Sequence, residues 1–144
     1  MAGVHKSVLV PYRARQMYQL VDSVEDYPEF LPWCGGVQVL ERSGDRKVVR
    51  IDIDFHGVRT FFTTANHNQP PQRITVALRD GPFRRLDGAW KFRALSDAGC
   101  KVEFVLHYEF ATPALRAVVG PVFEVVTGSF VEAFVKRAES AYAS

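Results

Sequence analysis

The sequence predicts an α+β fold in which a curved antiparallel sheet packs against one long C-terminal helix. The middle of the chain alternates apolar and polar residues with a period of two, which is typical of strands that have one buried face. The last third instead repeats its apolar residues every 3.6 positions, which is typical of a helix. Residues 1–144 contain no linker and no internal repeat, so a single domain is expected.

The N-terminal part is expected to form one strand and two short helices. Residues 3–10 are predicted to be a strand that ends at Pro11, because proline cannot donate a hydrogen bond to a neighbouring strand. Helices are predicted over 12–22 and 24–31, each with a narrow apolar stripe. The stripes consist of Met17, Leu20 and Val21 in the first helix and Val24, Tyr27 and Leu31 in the second.

Six further strands are predicted between about 35 and 110, which gives a seven-stranded sheet with the first strand. Short turns rich in Gly, Pro, Asn and Asp separate them, and short turns favour antiparallel neighbours. The residues expected on the buried face are Val49, Ile51, Ile53, Phe55, Leu86, Trp90, Phe92, Val102, Phe104, Leu106, Tyr108 and Phe110.

A helix of about 30 residues is predicted at the C-terminal end. It should begin at Pro113, since Thr112 supplies a capping hydroxyl and proline is favoured in the first helical turn. Gly120-Pro121 should kink this helix or divide it near its first third. Its apolar stripe comprises Leu115, Val119, Val122, Phe123, Val126, Phe130, Phe134 and Ala138.

Composition and charge argue against several classes of protein. The net charge of +2 comes from dispersed Lys and Arg, so a DNA-binding role is not expected. The chain has no signal-peptide layout and no run of about 20 apolar residues, which predicts a cytoplasmic location without a membrane span. Cys34 and Cys100 lack a C-x-x-C partner, so neither a disulfide framework nor a cysteine-rich zinc site is indicated.

Catalytic, metal-binding and nucleotide-binding motifs are not recognisable, and no cofactor is expected. Asp52, Asp54 and His56 project from one face of a predicted strand and could form a metal site or an acid–base pair. A solvated strand face is the preferred interpretation, because these residues lie opposite the apolar series. Cys34 lacks the basic neighbours that would lower its pKa and is expected to be a core residue.

A cluster of basic residues surrounds one tryptophan in the second half of the predicted sheet. Arg84, Arg85, Lys91 and Arg93 flank Trp90, and cations beside an aromatic ring can bind nucleic acid. The tryptophan nevertheless belongs to the inward-facing series. Packing is therefore the preferred role for the ring, and a solvated face is the preferred role for the arginines.

Three motifs together resemble a known family. They are YPEFLPWC at 27–34, DGPFRRLDGAWKF at 80–92 and FVEAFVKRA at 130–138. In this order and spacing they are similar to the coenzyme Q-binding protein family of the START-like, polyketide cyclase-like superfamily, and in particular to its bacterial branch of ribosome-association toxins, RatA. The resemblance extends from about residue 3 to residue 142 and implies a helix-grip fold with an apolar tunnel beneath the C-terminal helix. One departure is Val37, since the family often has a serine three residues after the motif cysteine.

The resemblance implies, first, a non-catalytic protein that binds ubiquinone or a similar isoprenoid lipid in support of respiration, with at most peripheral contact with the inner membrane. The second short helix would then act as a lid over one mouth of the tunnel, and buried CH₂ groups of the lipid tail would supply the affinity. The residues expected to gate or line this site are Tyr27, Phe30, Leu31, Trp33, Phe55, Trp90, Phe104, Tyr108, Phe123, Val126, Phe130 and Phe134.

The resemblance also implies two alternatives. A RatA-type toxin would bind the large ribosomal subunit and block subunit association. The expected docking residues are Arg84, Arg85, Lys91 and Arg93, or the basic end at Lys136 and Arg137. A cyclase-like enzyme is ranked last, because the expected tunnel offers few ionisable groups apart from Tyr108 and His67.

Overall fold

The computed structural model describes the backbone of residues 2–142 and the side chains of residues 3–142. It confirms the predicted fold class, with a seven-stranded antiparallel sheet, two short helices after the first strand and one long C-terminal helix. The strands are β1 (Ala2–Val10), β2 (Cys34–Ser43), β3 (Arg46–Phe55), β4 (Val58–Gln69), β5 (Arg73–Asp80), β6 (Phe83–Ser96) and β7 (Gly99–Phe110). The helices are α1 (Ala14–Asp22), α2 (Tyr27–Phe30) and α3 (Pro113–Ala141), and a 3₁₀ turn spans Val24–Asp26.

The strand order is β1-β7-β6-β5-β4-β3-β2, so β1 and β2 are the two edges of the sheet. Strands β2 to β6 each pair with the next strand in the chain, as the short turns predicted. The connection from β1 to β2 therefore has to cross from one edge to the other. It carries α1 against α3, β6 and β7, and it carries α2 against β2.

Alternation along each strand separates an inner face, which packs against the helices, from an outer face in solvent. In β3, Val49, Ile51 and Ile53 are buried, whereas Arg50 and Asp52 between them are partly exposed. In β7 the predicted inward residues from Val102 to Phe110 are all buried. The sheet is therefore one-sided, as the period of two requires.

Strands β6 and β7 lie too close together at Gly88 for any side chain. A Cβ atom at this position would overlap the carbonyl oxygen of Val105 and would lie 3.0 Å from Leu106. The motif GAW at 88–90 therefore places a glycine where two backbones meet, followed by a tryptophan that fills the core.

The helix boundaries differ from the prediction in three places. The first helix begins at Ala14 rather than at residue 12, and the second consists of the 3₁₀ turn followed by α2. Helix α3 begins as predicted, because the Thr112 hydroxyl oxygen accepts a hydrogen bond from the Leu115 N–H at 3.1 Å. It is not divided at Pro121, contrary to one of the two expectations. Buried residues on both sides, Val119 and Phe123, pack against the core, and such packing outweighs one missing backbone hydrogen bond.

By length and composition alone, α3 is apolar enough to cross a membrane, which the sequence analysis did not anticipate. About half of its most apolar stretch, 44%, is buried against the rest of the protein. Its aromatic residues Phe123, Phe130 and Phe134 face the sheet and are buried. This is the arrangement of a core helix with one exposed face.

Candidate functional site

A small cavity lies between the sheet and α3, at the position expected for the tunnel. Its volume is about 60 Å³, which is room for a few water molecules. Among the residues predicted to line the site, those that border the cavity are Tyr27, Trp90, Phe104, Phe123 and Phe130. The other apolar residues of the wall are Val21, Val24, Val49, Ile51, Phe62, Ile74, Val76, Leu86 and Leu106.

Aromatic side chains fill most of the interior that the sequence analysis assigned to a tunnel. The Trp90 ring stacks on Phe104 with centroids 4.4 Å apart, and Phe134 packs edge-on against it at 5.3 Å. Nearer the start of α3, Phe123 packs edge-on against Tyr108 at 4.8 Å. These contacts are tight for aromatic pairs. The interior of this conformation is consequently a packed core with a small residual space.

The cavity lining also includes polar residues, which the sequence analysis did not predict. Thr64 donates a hydrogen bond to Asn66 Oδ1 at 2.7 Å, and Thr127 donates to the Phe123 carbonyl oxygen at 3.0 Å. Thr64, Asn66 and Thr127 are all buried and border the cavity, as does Asp22. The sequence contained a signal, since Thr64 and Asn66 follow the buried Phe62 at intervals of two along β4 and so share its face.

Asp22 also belongs to a hydrogen-bonded network that attaches the end of α1 to the sheet. Lys47, which is 8% exposed, places its Nζ atom 2.6 Å from Asp22 Oδ1 and donates to the Asp22 carbonyl oxygen at 2.8 Å. Asn68 Nδ2 donates to the same carboxylate oxygen and to the Tyr18 hydroxyl, each at 2.8 Å. Burial of a lysine is costly unless its charge is paired, and this carboxylate supplies the pair.

Two residues of the predicted lid, Tyr27 and Phe30, pack edge-on against Phe134 of α3, each with a centroid distance of 5.3 Å. The buried Tyr27 hydroxyl donates a hydrogen bond to the Val21 carbonyl oxygen. Burial raises the pKa of Tyr27 far above its usual range, and the charge of Asp22 adds to this effect. Helix α2 is therefore held against α3 by aromatic contacts and against the end of α1 by one buried hydrogen bond.

Apart from Tyr27, the predicted lid residues border a surface groove and not the cavity. Phe30, Leu31 and Trp33 line a groove of about 460 Å³ between α2 and α3. Trp33 is 2% exposed and its ring lies 5.3 Å from that of Phe130, but its buried Nε1–H has no hydrogen-bond partner within residues 3–142. Arg137 extends over the Phe30 ring at 5.0 Å.

The remaining residues predicted to line the tunnel also lie outside the cavity wall. Val126 and Phe134 are buried in the core next to it. Phe55 is only partly buried, since it ends β3 and packs beside His56. Tyr108 borders a separate groove of about 660 Å³ at the start of α3, where burial and the neighbouring Glu124 raise its pKa.

The candidate catalytic groups do not converge on the cavity. His67 lies on β4 with its Nε2 atom 2.8 Å from Asp45 Oδ2, in a partly exposed hydrogen bond, so it is not an interior group. Asp52 and Asp54 pair with arginines on the outer side of the sheet, at 3.0 and 3.5 Å. Burial raises the pKa of the Cys34 thiol, which disfavours the nucleophilic thiolate.

The structure divides the predicted docking residues into paired and unpaired cations. Arg84 pairs with Glu109 at 3.0 Å and Arg85 with Asp87 at 2.9 Å, while Arg137 lies 3.5 Å from Glu29. Of the predicted docking residues, three are exposed and have no ion pair within residues 3–142. These are Lys91 and Arg93 on β6 and Lys136 on α3.

Strand pairing adds two cations that the sequence analysis missed. Arg73 of β5 lies directly opposite Lys91, and Lys101 of β7 lies directly opposite Arg93. We call these four residues the outer basic patch, because all lie on the outer face of three adjacent strands. Their side chains come together only through the register of the strands, which the sequence does not reveal.

Three comparisons with known proteins bear on this geometry. The profile of the polyketide cyclase/dehydrase and lipid transport family matches residues 10–135. The ribosome association toxin RatA of Escherichia coli K12 is 40% identical over 144 residues, which cover 100% of this chain and 91% of that protein. The mitochondrial coenzyme Q-binding protein COQ10 homolog B of Xenopus laevis is 26% identical over 95% of this chain and 58% of its own length. Among solved structures, the Zhui aromatase/cyclase of Streptomyces sp. R1128 has a TM-score of 0.87 at 18% identity, covering 99% and 96% of the two chains, which shows a shared fold.

Proposed function

The chain belongs to the polyketide cyclase/dehydrase and lipid transport family, and from this premise we propose that it acts in the cytoplasm by binding the large ribosomal subunit and blocking subunit association. The observation that carries the proposal is the filled interior, in which the cavity between the sheet and α3 measures about 60 Å³. Sites for small molecules in proteins have volumes of about 300–1,000 Å³. In this conformation the outer surface, and not the interior, offers the room for a partner.

The similarity to RatA supports the same choice, because it extends over the whole chain. A protein that docks through its surface requires a stable scaffold with fixed side chains, and the aromatic core provides one. The cations on the outer face of β5, β6 and β7 supply a positively charged surface, which an RNA-rich particle would attract. Arg73, Lys91 and Arg93 are exposed, and Lys101 is partly exposed.

Sedimentation through a sucrose gradient tests the proposal. Purified protein is added to purified small and large subunits under conditions in which they associate. The expected result is co-migration of the protein with the large subunit and a fall in the fraction of assembled ribosomes. A basic protein of similar size, added at the same concentration, controls for non-specific binding of cations to RNA. An unchanged ratio of free subunits to assembled ribosomes would contradict the proposal.

A second candidate function is the binding of ubiquinone or a similar isoprenoid lipid. It is favoured by the position of the cavity, which lies between sheet and α3 and has apolar walls with a polar patch at Thr64 and Asn66. An isoprenoid tail would fit only if α2 moved away from Phe134, because the present space holds a few water molecules. The similarity to the COQ10 homolog supports this candidate over about half of that protein's length.

Native mass spectrometry with a short-chain ubiquinone analogue tests the second candidate. Lipid bound inside the fold should give a one-to-one complex with the natural protein. The Val76→Phe variant should lose the complex, since Val76 borders the cavity and a phenyl ring would occupy it. The control is Val118→Phe on the exposed side of α3, which should still bind. Equal binding by both variants, or no binding by the natural protein, would dismiss an interior lipid site.

A further inference from the structure

We propose that the outer basic patch, formed by Arg73, Lys91, Arg93 and Lys101, binds the phosphate backbone of ribosomal RNA. This inference rests on the proposed ribosomal function and names the surface and the chemistry that would carry it. The strand register places the four cations in two directly opposed pairs, Arg73 with Lys91 and Arg93 with Lys101. Lys91 and Arg93 are two residues apart on β6, so their side chains leave the sheet on the same side.

The patch is not neutralised by the protein itself. None of its four cations has an ion pair within residues 3–142. The carboxylate nearest in register is Glu103, which lies opposite Lys91, and His5 Nε2 holds it at 2.9 Å. The hydrogen bond from His5 lowers the pKa of Glu103, and the charges of Lys91 and Lys101 lower it further. The charges of the patch therefore act on Glu103, the acid opposite Lys91.

The arrangement works against the stability of the sheet. Like charges directly opposite each other on neighbouring strands are destabilising. By contrast, Arg84 and Arg85 lie on the same β6 strand, and each has a carboxylate partner, Glu109 or Asp87. Cations that repel one another and form no ion pair with an acid can be neutralised by an anionic partner. The half of β6 that carries Lys91 and Arg93, whose side chains form no ion pairs, is therefore the half suited to binding an anion.

An RNA backbone fits this surface better than a single phosphate or a protein. The four cations are spread over three strands of an open sheet face, so they cannot enclose one small anion but can each meet a different phosphate of a chain. An exposed leucine, Leu9, lies opposite Lys101 on β1 and is 69% exposed. It offers an apolar contact beside the phosphate contacts, as a base or a ribose would require.

The test measures binding to purified large subunits as a function of salt concentration. Each phosphate contact should contribute about one unit to the slope of log K against log salt concentration. The double variant Arg73→Gln/Lys91→Gln should bind more weakly than the natural protein and should reduce the slope by about two. The matched control, Arg84→Gln/Arg85→Gln, removes two exposed arginines from the same strand and should leave the slope unchanged.

The outcomes separate this inference from the function on which it rests. If the natural protein fails to bind the subunit, the proposed function is wrong. If it binds, but the patch variant keeps the affinity and the salt dependence of the natural protein, the outer basic patch is not the RNA-binding surface. The proposed function would then still stand. Protein-free ribosomal RNA should compete for binding, and failure to compete would assign the contact to a ribosomal protein and overturn the inference. If Arg73→Gln/Lys91→Gln has a lower melting temperature than the natural protein, Arg93→Gln/Lys101→Gln provides an independent test of the same surface.

Discussion

Strand β6 has an inner face that packs against the helices and an outer face in solvent, and the two faces use alternate residues of one short segment. On the inner face, Trp90 and Phe92 are 5% and 3% exposed, and their rings stack on neighbouring aromatic side chains. On the outer face, Lys91 and Arg93 are exposed and lie opposite other cations or beside an acid that is already paired. The inner face contributes stability, whereas the outer face carries charge that folding alone does not use.

This difference shows where a function can reside on the fold. The inner face leaves about 60 Å³ of free space, so substitutions there should change the free energy of unfolding before they change any binding. The outer face contributes little to the core, so substitutions there should change binding to an anionic partner with little effect on folding. The contrast can be tested by paired substitutions, one on each face.

The largest effect is expected from Trp90→Ala. Removing a buried indole that contacts Phe104, Phe130 and Phe134 should lower the free energy of unfolding by about 3–5 kcal/mol. The neighbouring outer substitution Lys91→Ala should change it by less than about 0.5 kcal/mol. Urea denaturation followed by circular dichroism measures both. Similar losses of unfolding free energy in the two variants would contradict the distinction between the two faces.

Two aspartates provide the next pair. Asp22→Ala should cost about 2–3 kcal/mol, because it leaves the charge of the buried Lys47 unpaired, with a discount since Asp22 is itself one-third exposed. Asp52→Ala, which removes the partner of Arg50 on the outer face, should cost less than about 1 kcal/mol. The comparison uses the same denaturation experiment. A larger loss of unfolding free energy in Asp52→Ala than in Asp22→Ala would contradict this account.

Two glycines test the close approach of β6 and β7. Gly88→Ala should lower the free energy of unfolding by about 1–3 kcal/mol, because its Cβ would overlap the Val105 carbonyl oxygen. Gly128→Ala should instead raise it by about 0.5–1 kcal/mol, since this glycine lies inside α3 with open space around the new methyl group. Thermal melting of the two variants gives opposite signs in this account. A shift in the same direction for both would contradict it.

The smallest effect concerns the hydroxyl of Tyr27. Tyr27→Phe should cost about 1 kcal/mol, because it removes the buried hydrogen bond to Val21. The raised pKa of Tyr27 also makes stability depend on pH. Its contribution is complete below the unfolded pKa near 10 and is lost as pH rises above it, since only the unfolded chain can then release the proton.

Stability measured between pH 9 and pH 11 checks the pH dependence. The natural protein should lose stability over this range more steeply than Tyr27→Phe. Tyr12→Phe is a suitable control, because Tyr12 is only partly buried and has no hydroxyl hydrogen bond within residues 3–142. Parallel pH profiles for the natural protein and Tyr27→Phe would show that the buried hydroxyl titrates normally.

Most of the fold could be predicted from the sequence, since it depends on local periodicity. Alternation identified the inner face of the sheet, and Thr112-Pro113 identified the start of α3. The continuity of α3 through Pro121 could not be predicted, because it depends on buried contacts on either side of the proline. The volume of the cavity beneath α3 could not be predicted from the sequence either, since aromatic residues at the same positions can fill a cavity or surround one.

The candidate surface was predicted in part. Lys91 and Arg93 were found because they alternate with Trp90 along the chain. Arg73 and Lys101 were missed, because only the pairing of β5 and β7 with β6 brings them into the patch. Arg84 was predicted as a docking residue, yet Glu109 of the next strand pairs with it. Register, and not composition, decides which cations are unpaired.

Electron cryo-microscopy of the protein bound to the large ribosomal subunit tests the central claim most directly. The account predicts that the outer face of β5, β6 and β7 lies against ribosomal RNA, with Arg73, Lys91, Arg93 and Lys101 within contact distance of phosphates, and that Trp90 and Phe134 keep their packed arrangement. Density that places α2 or α3 against the ribosome, or that shows a lipid between the sheet and α3, would contradict it.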